Sequence, residues 1–550
     1  MVLPDDPGPG VSIFFLHLNF HSMNRFDLDT PLLKMAIGDA FSEWTIRHAV
    51  EGVQIFGGIG SGKSSGSGRL LALKYLEAGF GGLVLTVKPD EKKEWEEYCR
   101  LAGRQNDLIV IEPDNLHCFN FLDYEASTAA RGRALTENLV DVLKTVIRAG
   151  ESQDQGRGDD SFWESALDMM IFNVVDLCQL AYGKVSIEQM YEIVQAVPKP
   201  GEKVITREEE LEALRKEEAT QQKADGIKRP KRELNPFEKA MVTAHIKVNE
   251  LLQAWYDARD PDTVNEAQKG KAFKEWLEEN FPEARLYNFV RQFFLKSYRN
   301  LTEKTRSIID FIFLGFLYRM LREPVYSLFC RGTSTFSPED CLNGKIILLN
   351  LPVKTYFKVG RDCQILFKYI WQRAMEKRQV EVNARPVFLW ADEAQNFLHE
   401  HDAVYQATAR SSRISTVYIT QNLPNYYAGM GGALSQYRVK SFLGTLATKV
   451  FHANADIETN HYASELIGET YFESLQTGEN YGNEFSKSNS RSMILEKQVR
   501  PEEFISLKTG GPRNGFMVEG CFHRQGDTLL NGDNHIIMRF NQLYKPVKNK

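Results

Sequence analysis

Phe56–Ser65 reads F-G-G-I-G-S-G-K-S-S and fits the phosphate-binding pattern G-x-x-x-x-G-K-[ST] at Gly57, Gly62, Lys63 and Ser64. The spacing has a chemical reason. Small residues let successive backbone N–H groups turn inward onto phosphate oxygens, a lysine reaches the β- and γ-phosphates, and the following hydroxyl ligates Mg²⁺. Gly57, Gly58, Gly60, Ser61, Gly62, Lys63, Ser64 and Ser65 are therefore the expected nucleotide-binding positions, with ATP and Mg²⁺ as the bound species. Val53 and Ile55 read as a short buried strand before the loop. Leu70, Leu71, Leu73, Tyr75 and Leu76 give an apolar helical stripe after it, so strand, loop and helix follow in the order that aims a helix N-terminus at phosphate.

A second element separates a hydrolase from a binder. Pro386–Ala391 is an apolar strand ending at Asp392, Glu393, Ala394 and Gln395, the pattern of a Walker B strand. Asp392 is placed to hold Mg²⁺ through water, and Glu393 to polarise the attacking water. Ser415–Thr420 is another strand, β-branched and aromatic, ending at Gln421 and Asn422. An amide at its tip can sense the γ-phosphate or orient the water. Arg410 and Arg413 flank a Ser-Ser pair at the end of an expected helix. A guanidinium there either points into a neighbouring subunit's site as an arginine finger or sits against the helix macrodipole. The candidate catalytic residues are thus Lys63, Glu393, Arg410 and Gln421, and the candidate metal ligands Ser64 and Asp392.

With 550 residues the chain is long enough for two or more structural units. A net charge of −6 excludes a global basic field, so any nucleic-acid contact must be a local patch or an oligomeric channel. The cysteines, Cys99, Cys118, Cys178, Cys330, Cys341, Cys363 and Cys521, show no C-x-x-C pair and no zinc spacing, as expected of reduced thiols in the cytoplasm. Val11–Leu18 is too short to span a membrane and Ile308–Leu321 carries Asp310 and Arg319, so no intrinsic span is expected. His399-Glu400-His401 lacks a metalloprotease spacing and reads as a solvated segment.

The expected fold class is α/β: a RecA-like P-loop core with a mainly parallel sheet and an inserted all-α domain. Residues 1–45 read as an N-terminal arm. The first part of the nucleotide-binding domain runs over 46–123, with strands at Gly82–Val87 and Leu108–Glu112 around a charged helix Glu91–Ala102. Residues 124–338 turn to helical periodicity, seen at Phe162, Trp163, Ala166 and Met169 and at Phe289, Phe293, Phe294 and Tyr298. Within them the acidic run Glu208–Glu218 and the basic cluster Lys228, Arg229, Lys231 and Arg232 read as a solvated helix and linker. The α/β pattern resumes over 339–550, from Lys345–Leu351 to a last strand at His535–Phe540. Lys354, Tyr356, Lys358 and Arg361 line either a pore or a solvated loop, and Ser486–Ser492 reads as an exposed serine-rich loop.

Taken in order, these elements resemble the type IV secretion coupling proteins, the conjugative ATPases of the FtsK/HerA superfamily. The resemblance covers most of the chain from Gly52 to Gly520. It runs through the phosphate loop, the turn Lys88-Pro89-Asp90-Glu91, Asn120 and Leu122, and Phe162-Trp163 at the head of the helical insertion. Leu351-Pro352, Asp392-Glu393-Ala394-Gln395, Arg410 with Gln421, and Arg491 with Arg500-Pro501-Glu502-Glu503 complete it. The family's turn usually reads Asp-Pro-Lys, and here Lys88 and Asp90 stand exchanged. Family members usually carry N-terminal membrane helices, and none is expected here.

The resemblance implies ATP-driven pumping of DNA or a protein–DNA complex by a homo-hexamer. It implies DNA, a relaxase or other secreted protein, and type IV secretion channel components as partners. The location it implies is the cytoplasm, peripheral at the inner face of the membrane through those partners. Two other readings are a soluble ring ATPase in DNA processing or phage defence, and a nucleotide-switched substrate-receptor platform. Glu393 argues against the second, since a switch needs no efficient water activation.

Overall fold

The computed structural model describes residues 25–546, except 38–39, 114–116, 129–134, 152–160, 203–233, 259–280, 400, 482–484 and 530. The acidic run Glu208–Glu218, the basic cluster at Lys228–Arg232 and Val11–Leu18 lie outside the described residues, as do the side chains of Phe162 and Trp163. Two compact units emerge. One takes the described residues of Met1–Glu112, Glu151–Gln155 and Pro338–Lys550, the other those of Pro113–Gly150 and Gly156–Ser337.

The first unit is built on a nine-stranded sheet. Its strands are β3 (Val53–Phe56), β4 (Gly81–Leu85), β5 (Leu108–Ile111), β6 (Ile346–Leu349), β7 (Val387–Ala391), β8 (Ile414–Thr420), β9 (Thr448–His452), β12 (Met517–Arg524) and β13 (His535–Asn541). They lie in the order β13-β12-β9-β3-β8-β7-β4-β6-β5. From β9 to β5 every neighbouring pair is parallel. β12 and β13 extend the β9 edge antiparallel. One strand, β8, thus separates the strand feeding the phosphate loop from the strand feeding the acidic pair, the arrangement expected of a RecA-like core.

Every residue of β3, β4, β6, β7, β8 and β9 is buried, and β4, β6 and β7 are accordingly unbroken apolar runs, as parallel strands covered on both faces have no solvent side. The buried polar residues of β3, β8 and β9, such as Gln54, Ser415 and His452, are hydrogen-bonded. The packing is aromatic. Trp95 stacks on Phe388 at 5.6 Å and meets Trp390 edge-on at 5.4 Å, and Tyr75 stacks on Phe80 at 4.9 Å. The helix after the phosphate loop, Arg69–Ala78, stops at Gly79, whose φ of 85° forms a left-handed cap.

One expectation gains detail and one is corrected. Part of the N-terminal arm is an antiparallel hairpin, β1 (Pro31–Ile37) and β2 (Ala40–Thr45), anchored by the buried Trp44, which donates its indole N–H to Thr448 Oγ1 at 3.1 Å. Ser486–Ser492 is not a loop but part of β11 (Phe485–Lys497), paired antiparallel over thirteen residues with β10 (Glu469–Tyr481). Among the described residues this ribbon joins neither the large sheet nor a third strand, so its sequence lacks the apolar–polar alternation of a half-buried strand.

The second unit is helical, with Phe121–Thr128, Leu135–Glu151, Ser161–Tyr182, Ile187–Gln195, Pro236–Asp257, Pro282–Gln292 and Glu303–Met320 among its helices. Ser186 and Thr302 cap two of them by accepting from the N–H groups of Gln189 and Thr305. Met170, Val174, Met190, Phe237, Phe294 and Phe313 fill the interior. Arg306 donates to the carbonyls of Val197 and Pro198 at 2.7 and 2.8 Å, tying the end of one helix to the face of another. Among the described residues no helix is long and apolar enough to cross a membrane.

Candidate nucleotide site

The phosphate loop leaves the carboxyl end of β3. Gly57 N–H donates to Thr420 O at 3.3 Å and Gly58 N–H to Ala453 O at 2.9 Å, which hang the loop between the ends of β8 and β9. Glycine is required here. A Cβ on Gly57 would lie 2.4 Å from Ser61 Oγ, and one on Gly62, whose φ is 84°, would lie 2.5 Å from Val518 Cγ2. Gly60 also takes a positive φ, and Ser65 accepts from Gln542 Nε2 at 2.6 Å. A wide turn over Ser64–Gly68 leads into the helix Arg69–Ala78. Beneath it Ser67 Oγ meets His452 Nε2 at 2.7 Å, while His452 Nδ1 meets Glu519 O at 2.8 Å. Burial lowers the His452 pKa to about 4, so the ring is neutral, donating from Nδ1 and accepting at Nε2.

β7 delivers the acids to the same place. Ser64 donates its hydroxyl to Asp392 Oδ2 at 2.7 Å, setting two hard oxygen donors side by side. That pair fits Mg²⁺. Ser61 Oγ, buried and without a hydrogen-bond partner among the described residues, is a polar atom the loop leaves for a ligand. Glu393 sits in the left-handed region at φ 48°, ψ 49°, a conformation that turns its side chain away from the strand direction and that a glutamate rarely adopts. Its Oε1 lies 3.7 Å from Lys63 Nζ. Gln395 donates to its Oε2 at 3.0 Å, and Gln421 donates to both oxygens at 3.2 and 3.3 Å. Burial alone would raise the Glu393 pKa. The hydrogen bond from Gln395, the Lys63 charge and the bond from Gln421 outweigh it and hold the carboxyl below the ordinary glutamate value.

The structure therefore gathers Gly57, Gly58, Gly60, Ser61, Gly62, Lys63, Ser64, Ser65, Asp392, Glu393 and Gln421 at the carboxyl ends of β3, β7 and β8. Arg410 is elsewhere. It lies at the amino end of β8, 60% exposed, with Nη2 3.3 Å from Glu51 Oε1. The length of β8, roughly 20 Å, separates it from the site of its own chain. Arg413 donates to the carbonyl of Phe26. Lys354, Tyr356, Lys358 and Arg361 belong to the helix Val353–Glu376, where Lys354 is exposed but Arg361 is buried, so they share no single surface. Phe357 interrupts that helix at φ 48°, ψ −133°.

Three charged residues of the turn after β4 and the first turn of the helix Glu91–Leu101 reach the site without having been singled out as ligands. Lys88 Nζ is 3.7 Å from Asp392 and from Glu393. Glu91 accepts from Val87 N–H at 2.7 Å and, with Glu94, lines a small cavity beside Ser64 and Asp392. Burial, then the Asp392 charge, pushes Glu91 up to about 8 and raises Glu94 as well. The signal in the sequence was the charged turn itself; its direction follows only from β4 lying next to β7.

The segment after the acidic pair is pinned by an ion pair that is wholly buried. Lys368 donates to Asp402 Oδ2 at 2.7 Å and to Phe397 O at 2.8 Å, while Gln372 and His399 N–H complete the Asp402 shell at 3.0 and 2.8 Å. Asp402→Ala strands the Lys368 charge and is expected to cost about 3–5 kcal/mol of stability, read as a lower denaturant midpoint.

Residues 386–509 match the TraG-D_C family, described as the TraM recognition site of TraD and TraG. No curated protein sequence matches the chain. Among solved structures, the unbound bacterial conjugative coupling protein TrwBdeltaN70 aligns with a TM-score of 0.53 at 12% identity, over 92% of this chain and 87% of that one. The plasmid coupling protein TrwB with the non-hydrolysable ATP analogue ADPNP aligns at 0.52 and 13%, over 92% and 88%. TrwB with ADP and Mg²⁺ aligns at 0.52 and 13%, over 92% and 89%. The resemblance to coupling proteins is thus borne out, by sequence across the acidic pair and β8 to β11, and by fold over most of the chain.

Proposed function

We propose that this chain is an ATP-hydrolysing coupling protein that recruits DNA, or a protein–DNA substrate, and pumps it toward a type IV secretion channel. The observation that carries the reading is the meeting of Lys63, Ser64, Asp392, Glu393 and Gln421 around one loop. The TrwB complexes with ADPNP and with ADP and Mg²⁺ favour the same ligands here.

In this reading the loop N–H groups hold the phosphates and Lys63 leaves Glu393 for the β/γ oxygens. Ser64 and Asp392 would hold Mg²⁺, which when bound would supply charge neutralisation at the phosphates. Glu393 orients a water and takes its proton as the water oxygen bonds to the γ-phosphorus and the bond to the bridging oxygen breaks, releasing ADP and phosphate. Gln395 and Gln421 keep the Glu393 carboxylate aimed.

Arg410, unable to reach its own site, serves a neighbouring subunit in a homo-hexamer. The helical unit selects cargo, such as a relaxase, while the TraM recognition description of residues 386–509, which belong to the first unit, supports docking of a partner protein on that part of the chain. The protein acts in the cytoplasm at the inner face of the membrane through its partners.

The first test is nucleotide binding. Lys63→Ala is expected to weaken the affinity for a fluorescent ATP analogue at least about tenfold, the loss of one charge-assisted phosphate contact. Duplex DNA is expected to stimulate hydrolysis in a salt-sensitive way, since DNA contact releases phosphate counterions. Equal affinity in wild type and Lys63→Ala would remove the assignment of the loop.

A further inference from the structure

The turn Lys88-Pro89-Asp90-Glu91 has no part in the mechanism above, yet it delivers a cation to the centre of the site. β4 and β7 are parallel neighbours with Leu85 opposite Ala391, so the turn leaving β4 stands beside Asp392. Three hydrogen bonds hold it: Glu91 Oε2 accepts from Val87 N–H at 2.7 Å, Glu91 N–H donates to Lys88 O at 3.3 Å, and Lys354 N–H donates to Val87 O at 3.0 Å. Lys88 is thereby aimed inward, its side chain 37% exposed, with Nζ 3.7 Å from Asp392 Oδ2 and 3.7 Å from Glu393 Oε1. Among the described residues it is the one cation within 4 Å of both carboxylates.

The atoms it chooses are informative. Asp392 Oδ2 is the oxygen that accepts from Ser64, the side on which a dication would bind. Glu393 Oε1 is the oxygen that Lys63 also approaches. A dication held at Asp392 Oδ2 through water would stand close to the Lys88 ammonium, which lies 3.7 Å from the same oxygen, and like charges at short range in a half-buried site repel.

We propose that Lys88 is a positioning residue of the nucleotide site: its ammonium holds the place between Asp392 and Glu393 until Mg²⁺ displaces it. This rests on the nucleotide-hydrolysing reading above. The consequence is a raised metal requirement. Nucleotide arriving without Mg²⁺ leaves Asp392 and Glu393 tied to Lys88, and only the complete metal–nucleotide pair frees Glu393 to orient water.

The test titrates Mg²⁺ against the binding of a fluorescent ATP analogue to the full chain, with phosphate release followed in parallel. In Lys88→Met the Mg²⁺ concentration at half-saturation is expected to fall about tenfold, the effect of removing one partly screened charge from the metal's carboxylate. Lys88→Arg, which keeps the charge, is expected to retain the wild-type midpoint. A turn that served only as scaffold would give a raised or unchanged midpoint in Lys88→Met, and either result overturns the inference, as does a Lys88→Arg midpoint equal to that of Lys88→Met. Lys88→Gln supplies the same reading if the methionine variant melts below the wild type. Failure of the wild-type chain to bind the analogue at any Mg²⁺ concentration counts against the nucleotide site itself and is thus told apart from failure of the Lys88 role.

Discussion

Glu393→Gln is expected to keep nucleotide binding and to lower turnover by about 10²–10⁴-fold, the usual contribution of a positioned general base. The loop, Lys63 and the Ser64–Asp392 pair are untouched by the change, so ground-state contacts with phosphate remain. What is lost is the proton acceptor. Gln395 and Gln421 both donate to the Glu393 oxygens, and an amide at position 393 can accept at only one of its two terminal atoms, so its orientation is weakened too. Analogue affinity and steady-state phosphate release at saturating ATP decide the matter. Near-normal turnover in Glu393→Gln would move the base elsewhere, and loss of binding would make Glu393 a structural residue.

Arg410→Ala is expected to cost about 10³-fold or more in turnover, the range of a finger that stabilises charge on the transferred phosphoryl group. Its effect on stability is expected to be slight, since its contact with Glu51 is an exposed ion pair. The argument is one of place: the guanidinium is at the amino end of β8 while Gln421 is at the carboxyl end, so no rotamer brings it to its own Lys63. Mixing supplies the test. Arg410→Ala subunits keep Lys63 and Glu393, and Glu393→Gln subunits keep Arg410, so mixed assemblies are expected to regain part of the activity each lacks alone. If mixtures stay inactive while Arg410→Ala alone turns over normally, Arg410 does not act in trans.

The site was legible where chemistry is written contiguously. Gly57 to Ser65 and Asp392-Glu393 each follow a strand whose burial needs an apolar run, so motif and element announced each other. Gln421 could be placed because β8 ends just before it. Lys88 and Glu91 could not be assigned, because their direction depends on which strand lies beside β4, and pairing between distant strands leaves no local trace. The ribbon failed for a different reason. Tyr471, Leu475, Met493 and Leu495 are exposed, so the described side chains of β10 and β11 offer no buried face from which a strand is recognised, and a run of serine reads as a loop. Burial of Arg361 likewise follows from tertiary placement and not from its neighbours in sequence.

The order of strands in the large sheet also dictates when the protein can fold. Val53 pairs with Val417 and Thr448, and β4 and β5 both wait for β6, which begins at Ile346. At about 5–20 residues per second of synthesis, the first three strands of the sheet spend on the order of tens of seconds outside the ribosome before a partner exists. The helical unit, whose residues all lie between Pro113 and Ser337, meets its own contacts during that interval. The nucleotide pocket is therefore among the last parts of the molecule to come into being. Its loop is made early, but Asp392, Gln421 and His452 arrive only with the second half of the chain. A chain stalled before β6 carries the helical segments behind three strands whose sheet partners are missing, and such a fragment is expected to aggregate rather than act as a partial enzyme.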